Sequence, residues 1–481
     1  MPNEVMTMNR SKFQLTIGFA LAFAITISLA VRAEAQTYAD LANFNGTDGS
    51  FPGGSVTQAT DGNFYGVTYY GGANKKGSLF QVTPGGTITS IYSFCSQSNC
   101  ADGEGPVSTP VLGSDGNLYG ATWGGGGTAE GGIVYKMTLG GEITILHTVC
   151  TTSACLDGDA PAAVMLASDG NFYGTTFFGG EFKGGTLFKI TPTGVLTVLH
   201  SFCSEANCAD GNSSDSAPIQ ASDGNFYGAT QGGGVDGVGV LYEMTATGGY
   251  KVIQNFCYGA LYGCPMGSTP NPLVQDADGN LFGTTKFGGS YNSGTVFEIT
   301  SAGQDIVLHK FEYGGSIDPS GALIIANDGN LYGAAANNSF DDGNGYSSVF
   351  EITEAGVFTA LASNYDSLNG PVLQATDGNF YGTTAFGGAD NYGTVFKLST
   401  GLSPLVEAVP VAGPVGKIVI ILGNGLTGST SVTFNGVAAA FTVESDTYIK
   451  ATVPKGATSG AVSVVTPSGT LKSNPQFVVS K

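Results

Sequence analysis

Eight cysteines have the sharpest spacing in this chain. They form four local pairs, Cys95 with Cys100, Cys150 with Cys155, Cys203 with Cys208, and Cys257 with Cys264. Three pairs are C-x4-C and the last is C-x6-C. A zinc site wants four converging ligands and tighter pairs than these. Each pair stands about 54 residues from the next, which holds the pairs apart in space. Four loop-closing disulfides are therefore expected, and no metal. Each closes a small loop worth roughly 2 kcal/mol in the chain-entropy model.

Other reactive groups are few. The only histidines are His147, His200 and His309. They end equivalent apolar runs such as Val198-Leu199-His200, so they sit far apart and form no metal cluster. Gly-x-Ser-x-Gly is absent, which removes the hydrolase nucleophile elbow. Nothing singles out the carboxylate pair that glycoside chemistry needs, and no cofactor is expected. The recurring Asp-Gly-Asn tripeptides offer one Asp and one Asn each. Calcium wants six to eight oxygens, and these residues already form tight turns without a metal. Asp157 with Asp159 and Asp210 with Asp215 are richer in oxygen, and are still expected to be loop carboxylates facing water.

Aromatic residues are the more suggestive set. Tyr69-Tyr70-Gly71-Gly72 opens a glycine-rich loop. Its counterparts are Trp123-Gly124-Gly125, Phe177-Phe178-Gly179-Gly180, Phe287-Gly288-Gly289 and Phe386-Gly387-Gly388. An aromatic ring on such a loop stacks on sugar or peptide. Regular recurrence also marks a packing position. Tyr69, Tyr70, Trp123, Phe177 and Phe178 are the candidate ligand contacts. Trp123, the only Trp, and Tyr69 break the pattern most.

These residues are positioned by a repeat. A hexapeptide DGN[FL][YF]G returns at Asp61, Asp115, Asp169, Asp223, Asp278, Asp328 and Asp377, at steps of 49 to 55 residues. Steps of that length in a β-type composition indicate four strands per unit and a β-propeller. In the third unit the strands are expected at residues 163–167, 172–176, 186–190 and 196–202. The Asp169-Gly170 turn joins the first two. The seventh unit lacks a fourth strand. Thr37 to Phe44 has the matching ending and following loop, so the N-terminal segment should complete that unit and leave no open edge.

The repeat resembles the GloVer-type tandem-repeat family of secreted bacterial proteins, whose units read DGNFYGTT…GG…GT[VL]FKITP…T.LHSF. The resemblance covers residues 37 to 400. It implies a secreted or surface propeller and no established activity. The sixth unit departs from it, with Ala334-Ala335-Ala336-Asn337-Asn338 in place of Thr-Thr-x-x-Gly-Gly.

Composition shifts after Gly401. Gly413-Pro414-Val415-Gly416, Gly423-Asn424-Gly425-Leu426, Val432-Thr433-Phe434-Asn435-Gly436 and Val453-Pro454 follow in order. Short alternating strands with such turns suggest a β-sandwich. Residues 404 to 480 are similar to an IPT/TIG domain, an immunoglobulin-like module that implies a spacer or protein-contact role.

Charge and compartment narrow the partners. There are 37 acidic and 17 basic residues, a net charge of −20. The two arginines, Arg10 and Arg32, lie in the first 35 residues. Nucleic acid is excluded as a partner for want of a basic patch. Arg10 and Lys12, an apolar run from Phe13 to Val31, and Ala33-Glu34-Ala35 read as a signal peptide with its cleavage site. No later run is long enough to cross a bilayer.

The expected fold is all-β: a seven-bladed β-propeller closed by an N-terminal strand, then an immunoglobulin-like β-sandwich. The expected divisions are a signal peptide at 1–35, the propeller at 36–400 and the sandwich at 401–481. The expected role is a secreted or cell-surface, non-catalytic binding protein. Its loop face would take a neutral glycan or a protein surface, and the sequence assigns no oligomeric state. A propeller-type polysaccharide lyase or glycosidase, or a structural surface component, are the alternatives.

Overall fold

The computed structural model describes residues 36–480 apart from 129, 258–264, 290, 313–317, 337–346, 365–366 and 369. The expected signal peptide, Cys264 and part of the departing sixth-unit loop lie outside the described residues. No helix among the described residues is long and apolar enough to cross a membrane. The helical turns described are two of three residues, Ser98–Cys100 and Ala206–Cys208.

The chain up to Ser399 folds into seven antiparallel sheets, one per repeat. The third sheet is representative, with strands Asp159–Leu166, Phe172–Phe178, Thr186–Ile190 and Leu196–Ser201 in spatial order. Gly170 has φ 83° in its first turn, which suits glycine there. Gly174 is needed for another reason. A Cβ on it would come within 2.7 Å of the Phe188 ring in the next strand. The first strand starts earlier than its apolar run, because Asp159 and Pro161 also join the ladder, with a bulge after Pro161.

The hexapeptide welds neighbouring sheets. Its Phe stacks on the Tyr of the preceding unit: Phe172 on Tyr119, Phe226 on Tyr173 and Phe380 on Tyr332, with centroids 4.0–4.4 Å apart. Phe64 of the first sheet stacks on Tyr381 of the seventh at 4.1 Å. A backbone bond recurs at the same junctions. Gly105 N donates to Lys76 O, Ala160 N to Gly131 O, Ser213 N to Gly184 O, Thr269 N to Val238 O and Asp318 N to Ser293 O. Phe51 N likewise donates to Tyr392 O of the seventh sheet.

The seventh sheet takes its fourth strand from the N-terminal segment. Thr37–Asn43 pairs antiparallel with Thr394–Ser399, from Thr37 opposite Ser399 to Asn43 opposite Thr394.

The C-terminal module has two sheets of four strands. One runs Glu407–Val409, Ile418–Leu422, Tyr448–Thr452, Phe441–Val443, and the other Val437–Ala438, Ser431–Phe434, Val462–Thr466, Gly469–Lys472. Val419, Ile421, Val432, Phe434, Ile449 and Phe477 fill the space between them. Ile420 and Leu422 point the other way. With Val409 they pack on Tyr65, Leu112, Leu118 and Met137 of the first two repeat sheets. The module is thus seated on the Asp-Gly-Asn turns rather than held out as a spacer. Lys417 Nζ donates to Ser168 O, Thr447 Oγ1 to Thr60 O and Asn474 Nδ2 to Ile325 O. These contacts reach the first, third and sixth sheets.

Candidate functional site

The Asp-Gly-Asn turns are hydrogen-bond hubs. Asp169 Oδ1 accepts from Asn171 N at 3.0 Å. Its Oδ2 accepts from Asn171 Nδ2 at 2.8 Å, Tyr173 Oη at 3.1 Å and Lys189 Nζ at 2.8 Å. Burial pushes this carboxyl up, and the Lys189 and Asn171 bonds outweigh it, leaving the group below its ordinary value. Asp115 and Asp377 are held in the same way. Carboxylates so fully engaged within their own unit explain the motif as architecture.

The cysteine loops are also built around an aspartate. Cys95–Cys100, Cys150–Cys155 and Cys203–Cys208 are disulfide-bonded. The expected Cys257–Cys264 bond involves a residue outside the described ones. Two residues after the second cysteine, Asp210 accepts from Ser204 N and Oγ and from Glu205 N. His200 Nε2 lies 3.0 Å from the same carboxylate. Asp157 pairs with His147 at 2.9 Å, and Asp102 accepts from Tyr92 Oη at 2.6 Å. His309 instead stacks on Phe358 at 4.2 Å. His147 and His200 are therefore loop anchors, and His309 is a packing residue. Two groups, Cys95–Cys100–Glu104 and Cys150–Cys155–Asp159, bring ligand-type atoms within 4.8 Å. Their sulfurs are bonded to each other, so neither group offers thiolates. Asp215 bonds Gln231 Nε2 and lies apart from the Asp210 hub.

The candidate aromatics all lie at the end of the sheets opposite the Asp-Gly-Asn turns. A threonine pins the second-strand end in five units. Thr68 Oγ1 donates to Tyr70 O at 2.8 Å, Thr176 Oγ1 to Phe178 O at 2.9 Å and Thr384 Oγ1 to Phe386 O at 2.7 Å. The two singled out for breaking the pattern are half-buried. Tyr69 lies against Gly105 of the second sheet, where a Cβ would sit 3.2 Å from its ring. Burial and the neighbouring Tyr70 and Glu104 raise its phenol. Trp123 packs on Phe177 at 5.4 Å and Phe178 at 6.1 Å, both from the third sheet. Phe177 is half-buried as well. Among the aromatics that end these second strands, Tyr70 (55%), Phe178 (47%), Phe386 (43%) and Phe287 (37%) are exposed.

The structure brings these into two groups. Trp123, Phe177 and Phe178 bridge the second and third sheets. Tyr69 and Tyr70 join Phe51, which touches Tyr70 at 6.2 Å and Phe386 at 5.5 Å. Phe51 was not among the sequence candidates. Its signal was its place before Pro52, where other units carry Gly105, Ala160, Thr269 or Asp318 before proline.

No curated protein matches the chain. Several solved structures are similar at low identity. A surface component of the type-IX secretion system of Porphyromonas gingivalis, PorZ, is 16% identical with a TM-score of 0.45, covering 87% of this chain and 58% of that one. A gluconolactonase from Xanthomonas campestris is 10% identical at 0.40, covering 77% and 92%. An ulvan polysaccharide lyase is 11% identical at 0.45, covering 74% and 95%. The model of the IPT/TIG domain matches residues 405–479. The Gloeobacter/Verrucomicrobia repeat model matches three overlapping stretches, 26–215, 96–268 and 161–372. With the repeat spanning most of its length, the chain belongs to the Gloeobacter/Verrucomicrobia repeat family and ends in an IPT/TIG domain.

Proposed function

We propose that this chain is a secreted or cell-surface, non-catalytic binding protein. In this reading residues 36–400 close into a seven-bladed β-propeller, and residues 401–481 form an immunoglobulin-like cap on one face. The opposite face recognises a neutral glycan. The Phe51–Tyr392 bond and the Thr37–Asn43 pairing support closure. Three disulfides support an oxidising compartment.

One observation carries the binding reading. Tyr70, Phe178, Phe287 and Phe386 present exposed rings at one end of the sheets, while the other end is covered by the chain's own module. Loops on a rigid scaffold are where recognition usually sits, and planar rings, three of the four held by a threonine pin, suit the apolar faces of sugars. The absence of arginine after Arg32 disfavours an anionic ligand.

A glycan array tests this with the wild type and a Tyr70→Ala/Phe178→Ala double variant. Retention of neutral glycans by the wild type and loss by the double variant is expected. Equal retention by both, or retention of none, overturns the glycan reading. Capture of a protein in place of glycans would reassign the face to a protein partner.

A further inference from the structure

A cleft of about 460 Å³ opens where the C-terminal module meets the first and seventh sheets, lined by Gln58, Phe64, Asp377, Asn424, Thr470 and their neighbours. Clefts that take small molecules run about 300–1,000 Å³. It lies at the turn end of the sheets, away from the exposed loop aromatics.

The glutamine at its floor is unlike its equivalents. Gln58, Gln220, Gln275 and Gln374 each use Oε1 to accept a backbone N–H from the preceding unit, from Thr376, Ser168, Ser222 and Asn327 respectively. That contact fixes which end of each amide is oxygen. Gln220 Nε2 then donates to Gly224 O, Gln275 Nε2 to Gly279 O and Gln374 Nε2 to Asn327 Oδ1. Gln58 is only 6% exposed, yet its Nε2 has no acceptor among the described residues. Gln58 lines the cleft, so this donor is left to water or to a ligand there.

The other cleft groups are complementary. Asn424 Nδ2 donates to Thr376 Oγ1 at 2.7 Å, which leaves its Oδ1 as an acceptor. Asp377 is neutralised by Lys397 at 3.2 Å and already accepts from Asn379 and Tyr381. The site thus offers a free amide donor, a free amide acceptor, apolar walls at Pro84 and Leu471, and no uncompensated charge. Paired donors and acceptors above apolar walls match a hydroxyl-bearing ring.

We propose that this cleft is a second binding site, for an uncharged, hydroxyl-rich small molecule such as one or two sugar units. Gln58 Nε2 donates to a ligand hydroxyl and Asn424 Oδ1 accepts from one. The ligand is either a free sugar or the end of a longer glycan. This site does not depend on the loop face.

Saturation-transfer NMR on the full chain, with maltose, cellobiose and their longer oligomers as probes, tests it. Gln58→Glu keeps the oxygen that Thr376 N needs and removes the donor. Thr470→Trp fills the cleft from an exposed position. Binding of at least one probe is expected, weakened by about tenfold in Gln58→Glu, the scale of one lost hydrogen bond, and abolished in Thr470→Trp. The Tyr70→Ala/Phe178→Ala variant should bind as the wild type does. Preference for the disaccharide assigns a free sugar, and preference for the oligomer assigns a chain end. No transfer to any probe, or binding untouched by both cleft variants, overturns the proposal.

Discussion

The amide of Phe51 donates to the carbonyl of Tyr392 at 3.0 Å, tying the first repeat sheet to the seventh. Phe51 does this with φ at 55°, a region that non-glycine residues enter at a cost. Gly105, Ala160, Ser213, Thr269 and Asp318 share that backbone, at φ of 54–59°. Each makes the same bond to the sheet before it. The conformation is thus a property of the junction, repeated at six of the places where one unit meets the next, and it carries strain wherever the residue is not glycine.

The N-terminal strand reinforces that junction. A chain beginning at Gly46 loses the ladder on Thr394–Ser399 and the fully buried Phe44. Losing a buried Phe alone costs about 3–5 kcal/mol, and the exposed edge invites association. The shortened chain should melt well below the full described chain and elute as larger species on size exclusion. Equal melting temperatures would mean that the seventh sheet holds without its fourth strand.

Much of this architecture was legible because each hexapeptide residue has one structural task. Asp169 collects donors, Gly170 turns, Asn171 locks the turn, Phe172 stacks backward and Tyr173 reaches Asp169. A missing seventh-unit strand could likewise be matched to Thr37–Phe44. Exposure of the aromatics was not legible. It depends on the next sheet: Gly105 leaves room for Tyr69, and Phe177 covers Trp123. Nor was the docking of the module read, although its signal was present. A sandwich strand facing water alternates, whereas Val419-Ile420-Ile421-Leu422 is apolar throughout because both its faces are buried.

That register predicts opposite outcomes at adjacent residues. Ile420 faces the repeat sheets and Ile421 the module's own core. Ile420→Lys should release the module while leaving both parts folded, seen as faster proteolysis near residue 402 with little change in circular dichroism. Ile421→Lys should unfold the module itself, since an unpaired charge in a core is not tolerated. If Ile420→Lys leaves proteolysis unchanged, the contact with Leu112 and Met137 does not hold the module in place.

Acid should loosen the third cysteine loop in two steps. Burial pushes His200 below its ordinary value of 6.5, against the pull of Asp210. The folded state therefore binds fewer protons there than the unfolded chain, and stability falls as pH drops below about 6.5. Asp210 is pushed up by burial and more than compensated by bonds from Ser204 and Glu205, so it ends below 3.8. Its contribution is present above pH 3.8 and is lost as pH falls through the lower folded value. Thermal melts of the wild type should decline between pH 7 and 5 more steeply than those of His200→Gln. Parallel curves would show that His200 titrates alike in both states.

The loop aromatics separate into anchors and packing by the same criterion of contact. Trp123 is half-buried and wedged between the second and third sheets by Phe177 and Phe178. Removing it leaves a gap between sheets, so Trp123→Ala should cost about 1–3 kcal/mol of stability. Tyr70 and Phe178 place roughly half their surface in water, and their backbones are held by Thr68 and Thr176 whatever the side chain. Tyr70→Ala should therefore change stability by less than about 0.5 kcal/mol while weakening ligand binding by about 1–3 kcal/mol, the scale of a lost aromatic anchor. Chemical denaturation and titration with a glycan retained on the array measure the two effects separately. Should Tyr70→Ala destabilise as much as Trp123→Ala with affinity intact, Tyr70 belongs to the packing with Phe51, and the exposed ring loses its role in recognition.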